Sequence, residues 1–202
     1  MNTTSSLVLA TRNAGKVNEI RSLLSHLPVT LRPADALDEP LEVVEDAPTL
    51  SGNAEKKARA YRHHTGQPSL ADDTGLEVDA LDGAPGVHTA RFAGPEATAA
   101  DNMAALLDAL ADVPDEARTA RFRTVVCFVD DDGAAHPFHG VCEGHILREQ
   151  RGSGGFGYDP VFVPEGHTRT FAEMDADAKN AVSHRKQALQ AFADFFDALL
   201  SH

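Results

Sequence analysis

The stretch Leu7-Val8-Leu9-Ala10-Thr11-Arg12-Asn13-Ala14-Gly15-Lys16-Val17-Asn18-Glu19-Ile20 decides the class of fold. Leu7 to Ala10 is a short apolar run of the kind that makes a buried strand. A polar turn follows. Val17, Ile20, Leu23 and Leu24 then recur on one helical face, which predicts a helix from about Lys16 to Leu24. Strand, turn and helix in succession are the building step of an α/β chain.

The alternation continues outward from there. A second helix fits Gly52 to His64, and Pro68-Ser69-Leu70-Ala71 leads into another short strand. Thr98 and Asp101 have the spacing of a capping box, opening a helix with Met103, Leu106, Leu107 and Leu110 on one face; Pro114 closes that segment. Phe122 to Val129 is rich in β-branched and aromatic residues, and a strand is expected to return from about His136 to Ile146. Between them, Asp130-Asp131-Asp132-Gly133 lacks the spaced ligands and terminal glutamate of a calcium loop, so it is taken as a hairpin turn. The chain ends in an amphipathic helix whose Val182, Leu189, Phe192, Phe196 and Leu199 are expected to pack in the core. With no repeat, low-complexity tract or linker, residues 1–202 are expected to form one α/β domain.

Composition limits the function classes. The chain has 31 acidic and 18 basic side chains among 202 residues, a net charge of −13, which argues against a nucleic-acid polymer as partner. A small anionic ligand stays open, because a pocket can be locally positive on an acidic protein. No apolar run approaches the roughly 20 residues that span a bilayer, and the polar start Met1 to Ser6 lacks the layout of a signal peptide. Cys127 and Cys142 make no disulfide framework and have no metal-ligand spacing, so they are expected to be small buried hydrophobes in a reducing compartment. The scattered histidines, His63-His64 included, have no metal spacing either. Together these point to a cytoplasmic protein with no membrane partner.

Four polar clusters exceed what a core requires. In the first, Thr11, Arg12, Asn13, Ala14, Gly15 and Lys16 lie between strand and helix, where free N–H groups and the helix dipole favour an anion; taken alone, an ordinary polar turn explains them as well. This is not a Walker loop, since the second spaced glycine and the Ser/Thr after the lysine are missing. The second is Ala71-Asp72-Asp73-Thr74-Gly75 at a strand end, where one carboxylate of an alternating pair can ligate Mg²⁺ and orient a water; a solvated turn using Asp and Gly for its geometry is the alternative. The third, Gly152-Ser153-Gly154-Gly155-Phe156-Gly157-Tyr158-Asp159-Pro160, is a glycine loop that presents an aromatic ring suited to stacking on a base. In the fourth, Lys179-Asn180 and Ser183-His184-Arg185 place cations at the expected start of the last helix, where the dipole disfavours them unless they share an anion.

In this order the clusters resemble the Ham1-like nucleoside triphosphate pyrophosphatases, from LVLATRNAGKVNEI through ADDTGLEVDALDGAPGVHTARFAG and GSGGFGYDPVF to TFAEMDADAKNAVSHRKQAL. The resemblance implies an elongated mixed sheet flanked by helices, with two lobes around a nucleotide cleft, and a homodimer. It implies Mg²⁺-dependent hydrolysis of ITP, dITP and XTP to the monophosphate and pyrophosphate, which cleanses the nucleotide pool. It assigns Thr11, Asn13 and Lys16, with Arg12, Ala14 and Gly15, to phosphate binding, and Asp73 to catalysis and metal binding. Thr74 stands at a substrate contact, and Phe156, Gly157, Tyr158 and Asp159 in the base-binding segment. Lys179, His184 and Arg185 match further substrate contacts. Asn53-Ala54 and Lys57 fit a helical NAxxKA pattern that places Lys57 near the phosphates. The segment before that helix departs from the family's pattern; Glu45 aligns best with the second metal carboxylate, with Asp46 as the alternative. Preference for a 6-oxo purine over adenine requires a donor aimed at O6, for which Tyr158, Asp159 and residues 183–185 are the candidates. A nucleotide sensor without catalysis, and an enzyme for modified pyrimidine triphosphates, are the competing readings.

Overall fold

Residues 5–37 and 41–200 are described by the computed structural model. Strand β1 (Ser5–Leu9) leads through the polar turn into α1 (Ala14–Leu23), with Val17 and Ile20 buried as their spacing predicts. β2 (Val29–Pro33) returns parallel to β1. After α2 (Leu50–Thr65), β3 (Ser69–Val78) pairs parallel with β1 on its other side, and the two-residue β4 (Pro85–Gly86) pairs antiparallel with β3. α3 (Ala99–Ala109) precedes β5 (Thr119–Val129) and β6 (Ala135–Ile146), and β7 (Phe162–Pro164) runs antiparallel to β6. α4 (Ala176–Val182) and α5 (His184–Leu200) complete the chain. Among the described residues the strands form one sheet of seven, ordered β2-β1-β3-β5-β6-β7 with β4 beside β3. This is the mixed α/β sheet with flanking helices that the family resemblance implies.

The chain divides into two compact units, each with its own core. The first comprises residues up to Asp73, Thr124–Gly140, and the chain from Arg185 onward. Its core joins Leu7 and Leu9 of β1, Ile20 of α1, Leu70 of β3, Val126 and Phe128 of β5, and Leu189, Phe192 and Phe196 of α5. The second comprises Thr74–Arg123 and Val141–His184. Its core joins Leu76, Val78, Met103, Leu106, Leu110, Phe122, Ile146, Tyr158, Phe162 and Phe171.

Local signals explain most element ends. Thr98 Oγ1 accepts from the Asp101 N–H and the Asp101 carboxylate accepts from the Thr98 N–H, which completes the expected capping box of α3. In the hairpin turn, Asp130 Oδ1 accepts the N–H groups of Asp132 and Ala134, the geometry of a turn and not of an ion loop. Cys127 and Cys142 are buried, and burial pushes their thiols up to about 11 and about 12 respectively.

Two expectations need correction. The strand after Pro68 is not short but runs for ten residues in all, Ser69–Val78, so Asp72 and Asp73 lie within β3 and not at its end. Both carboxylates find partners on helices, and the backbone therefore has no reason to leave the sheet. The final helix is also two helices. Asp175 caps α4, Ser183 is extended (φ −74, ψ 146), and α5 starts at His184. Val182 thus packs against the second unit's core from α4, while Leu199 is 46% exposed, so the core stripe of α5 is Leu189, Phe192 and Phe196. No helix among the described residues is long and apolar enough to cross a membrane.

Candidate active site

In the first unit the β1–α1 turn is built by its own side chains. Asn13 caps α1 by accepting the Lys16 N–H at 3.2 Å, and Thr11 Oγ1 accepts the Asn13 N–H at 3.3 Å. Residues 12–14 are exposed, so the helix N-terminus is open to an anion. Arg12 pairs with Glu42 at 3.3 Å, both side chains mostly in solvent, a contact of little energetic weight. Lys16 reaches back to β3, its Nζ 2.9 Å from Asp72 Oδ2. Burial lowers the Lys16 pKa, and the attraction of Asp72 offsets only part of that effect.

Successive side chains of a strand point to opposite faces, and the two carboxylates of β3 accordingly meet different helices. Asp72 is fully buried beside Lys16 of α1 and Arg185 of α5. Burial alone would raise its pKa, but Lys16, Arg185 and Lys57 outweigh burial and hold the carboxyl well below the usual range. Arg185 also pairs with Glu19, one turn beyond Lys16 on α1. Asp73 is turned toward α2, where Asn53 Nδ2 donates to its Oδ2 at 3.1 Å and Lys57 Nζ lies 3.8 Å from its Oδ1. Here burial is the larger influence and Lys57 does not overcome it, so the Asp73 carboxyl sits above its ordinary value.

Asn53, Lys57 and Tyr61 recur every four residues and so share one face of α2. That face holds the segment before the helix. Tyr61 Oη donates to the Leu41 carbonyl at 3.1 Å, Lys57 Nζ to Glu45 Oε2 at 2.8 Å, and Asn53 Oδ1 accepts the Ala47 N–H at 2.9 Å. Lys57 is thereby surrounded by carboxylates. Burial would lower its pKa, but Asp73, Asp72 and Glu45 together raise it, so it stays an ammonium.

Among the described residues no group of three or more His, Cys, Asp or Glu side chains is arranged to hold a metal. Glu45 and Asp73 nevertheless converge on one ammonium, at 2.8 and 3.8 Å. Two carboxylates with no nitrogen or sulfur donor suit a hard cation such as Mg²⁺, which keeps several waters and takes further oxygens from substrate phosphates. Asp46 points elsewhere, to Lys56 at 2.5 Å on the exposed side of α2, so Glu45 is the one placed beside Asp73.

In the second unit the glycine loop is anchored at several points. Asp159 Oδ2 accepts the Phe156 N–H at 2.8 Å and the Lys179 ammonium at 2.7 Å, and Gly154 N–H donates to the Ala172 carbonyl at 3.1 Å. Gly155 has φ +71, and a Cβ there would come within 2.1 Å of Asp159 Oδ2, so only glycine permits this arrangement. Tyr158 is buried, its hydroxyl donating to the Thr89 carbonyl at 2.9 Å. Phe156 is half-buried, with the Lys179 ammonium 4.7 Å from its ring centroid. Gly157 and Thr74 are also half-buried, each in its predicted motif.

Lys179, His184 and Arg185 each have a partner of their own. Lys179 occupies the last turn of α4, where the dipole favours a cation, and is paired with Asp159. The His184 ring stacks on Phe122 with centroids 4.8 Å apart. Arg185 does stand at a helix start, but Asp72 and Glu19 supply the opposing charge there. Sequence reasoning missed Glu19, although Lys16 and Glu19 share a face of α1. It also missed the two hydrogen bonds made by Asn53, whose signal is its place one turn before Lys57.

Comparison with known proteins places this geometry in context. The family model described as Ham1 matches residues 7–195. A dITP/XTP pyrophosphatase of Porphyromonas gingivalis is 51% identical over 94% of this chain and 96% of its own length. One of Desulforamulus reducens is 47% identical over 97% of this chain and 98% of its own. The solved structure of a HAM1 protein from Coxiella burnetii is 41% identical and superposes with a TM-score of 0.87, covering 96% of this chain and 99% of that one.

Proposed function

The chain belongs to the Ham1 family, and from that premise we propose that it hydrolyses the non-standard purine triphosphates ITP, dITP and XTP to the nucleoside monophosphate and pyrophosphate with Mg²⁺. The observation that carries the reading is the group formed by Asp73, Glu45 and Lys57, with Asn53 holding Asp73. It combines a carboxylate of raised pKa, a second carboxylate and a persistent ammonium, which are the parts needed to activate water beside a polyphosphate.

Each residue has a defined task in this reaction. Asp73 orients the attacking water and accepts its proton; burial makes it a stronger base than a surface aspartate, and such a group contributes on the order of 10²–10⁴ in rate. Lys57 and Lys16 stabilise charge on the phosphate oxygens, with Thr11, Asn13 and the open end of α1 binding the same chain of phosphates. Arg12, Ala14 and Gly15 complete that loop. Mg²⁺, when held by Asp73 and Glu45, neutralises phosphate oxygens as a Lewis acid. Phe156 offers its ring to the base, and Gly157, Tyr158, Asp159 and Thr74 are assigned to substrate contact, as are Lys179, His184 and Arg185. Selection of a 6-oxo purine then follows from donors that the amino group of adenine would leave unpaired.

The same reading takes residues 1–202 as one catalytic domain, working as a cytoplasmic homodimer without a nucleic-acid or membrane partner. Pyrophosphate release from ITP, XTP, dUTP and ATP, with and without Mg²⁺, tests it. Mg²⁺-dependent release from ITP and XTP, with ATP far slower, is the expected pattern. Preference for dUTP would move the assignment to pyrimidines, and release from none would leave a binding protein without catalysis.

A further inference from the structure

Asn53 is buried, and both ends of its amide are engaged. Its Nδ2 donates to Asp73 and its Oδ1 accepts the N–H of Ala47, two residues beyond Glu45. A carboxamide can donate to a carboxylate and accept from a backbone N–H at once. An aspartate would set one carboxylate against another, and an apolar side chain would leave buried polar groups unpaired. One side chain thus ties the strand that carries Asp73 to the segment that carries Glu45.

Gly52 is a second, independent sign that this approach is built in. It lies inside α2, where glycine is a poorer helix former than alanine. A Cβ at 52 would come within 2.8 Å of the Ala47 Cβ and 3.2 Å of Thr49 Oγ1. The helix therefore carries no side chain at the point where the segment crosses it.

We propose that Asn53 is a positioning residue for the reaction proposed above: it sets the separation and orientation of Asp73 and Glu45, and so their joint affinity for the divalent cation. Asn53 touches neither water nor phosphate in this role; it acts through the two carboxylates. Gly52 serves the same end by admitting Ala47.

The test compares wild type, Asn53→Ala and Gly52→Ala by three measurements. Pyrophosphate release from ITP is followed against Mg²⁺ concentration. Mn²⁺ is titrated into the protein with the α,β-imido analogue of ITP, free Mn²⁺ being read by electron paramagnetic resonance. Binding of that analogue in EDTA is measured by calorimetry. In Asn53→Ala the half-saturating Mg²⁺ and the Mn²⁺ dissociation constant are expected to rise roughly 10- to 100-fold. Analogue binding in EDTA stays as in wild type, and so does KM at saturating metal. Gly52→Ala is expected to reproduce the metal defect while keeping analogue binding in EDTA, which separates positioning from loss of fold and carries the test if Asn53→Ala does not fold. Unchanged Mn²⁺ affinity in the folded variants overturns the proposal, as does an equal loss of analogue binding in EDTA. If wild type releases no pyrophosphate, the proposed function fails, while the Mn²⁺ titration still decides the role of Asn53.

Discussion

At the scale of single residues, Asp72 and Asp73 are chemically identical neighbours with opposite effects on the fold. Asp72 is held in its charged form by Lys16 and Arg185. Its folded pKa lies below the ordinary 3.8, so its contribution is complete well above that pH and is lost as pH falls through and below it. Asp72→Asn leaves two buried cations short of a counter-charge and is expected to cost about 3–5 kcal/mol, read by urea denaturation at pH 7. The same variant should show a flatter loss of stability than wild type between pH 5 and 3, in the order-of-magnitude window that linkage sets around ~3.8. Wild-type stability in the variant would reject the assignment. Asp73 has a raised pKa, so its stabilising form is the protonated one, present at low pH and lost as pH rises through the folded value. Asp73→Asn is therefore expected to raise the melting temperature at pH 7 while lowering turnover by on the order of 10²–10⁴. A variant that is less stable, or one that retains full turnover, would contradict these roles.

At the scale of elements, the fold was most legible where a signal is local and the site where motifs are short. The capping box at Thr98–Asp101, the helical spacing of α1 and the turn between β5 and β6 could all be read within a dozen residues. Asp73 and the 152–160 glycine loop stood out as candidates in short motifs, and Lys57 through the family resemblance. What escaped depends on distant partners. Arg185 lies 166 residues from Glu19 in the chain, so nothing local announces that a cation at a helix start is already balanced. β3 outran its expected end because its charged residues are satisfied by helices, which composition alone cannot reveal. Arg118 belongs to the same class. Buried after α3, it donates to the carbonyls of Leu110, Ile146 and Leu147 at 2.6, 2.9 and 2.7 Å, fastening the end of α3 to the end of β6. Burial lowers its pKa, yet guanidinium remains the charged donor. Arg118→Met removes three charge-assisted bonds and is expected to destabilise by about 3–5 kcal/mol in urea denaturation. A change below about 1 kcal/mol would show those carbonyls to be satisfied otherwise.

At the scale of the whole molecule, the chain passes between its two compact units at residues 73/74, 123/124, 140/141 and 184/185. The first lies in β3, the second in β5, the third in β6 and the fourth at the start of α5; none is a linker. Neither unit is a continuous piece of sequence, so neither can be excised by one cut. Unfolding in urea is accordingly expected to follow one transition, with intrinsic fluorescence of Tyr61 and Tyr158 and far-ultraviolet circular dichroism coincident. Two separated transitions would contradict the single-domain proposal. The tandem carboxylates of β3 make the strand's register matter to the site. A slip of β3 by one position would bring Ala71 to the cations that require Asp72 or, in the other direction, Thr74 to the place beside Asn53 and Lys57 where Asp73 stands. The first slip would bury Lys16 and Arg185 without their carboxylate, and the second would remove the carboxylate on which turnover is proposed to depend. Two aspartates in a row, which look redundant on paper, are thus not interchangeable: one balances the buried cations and the other serves the site.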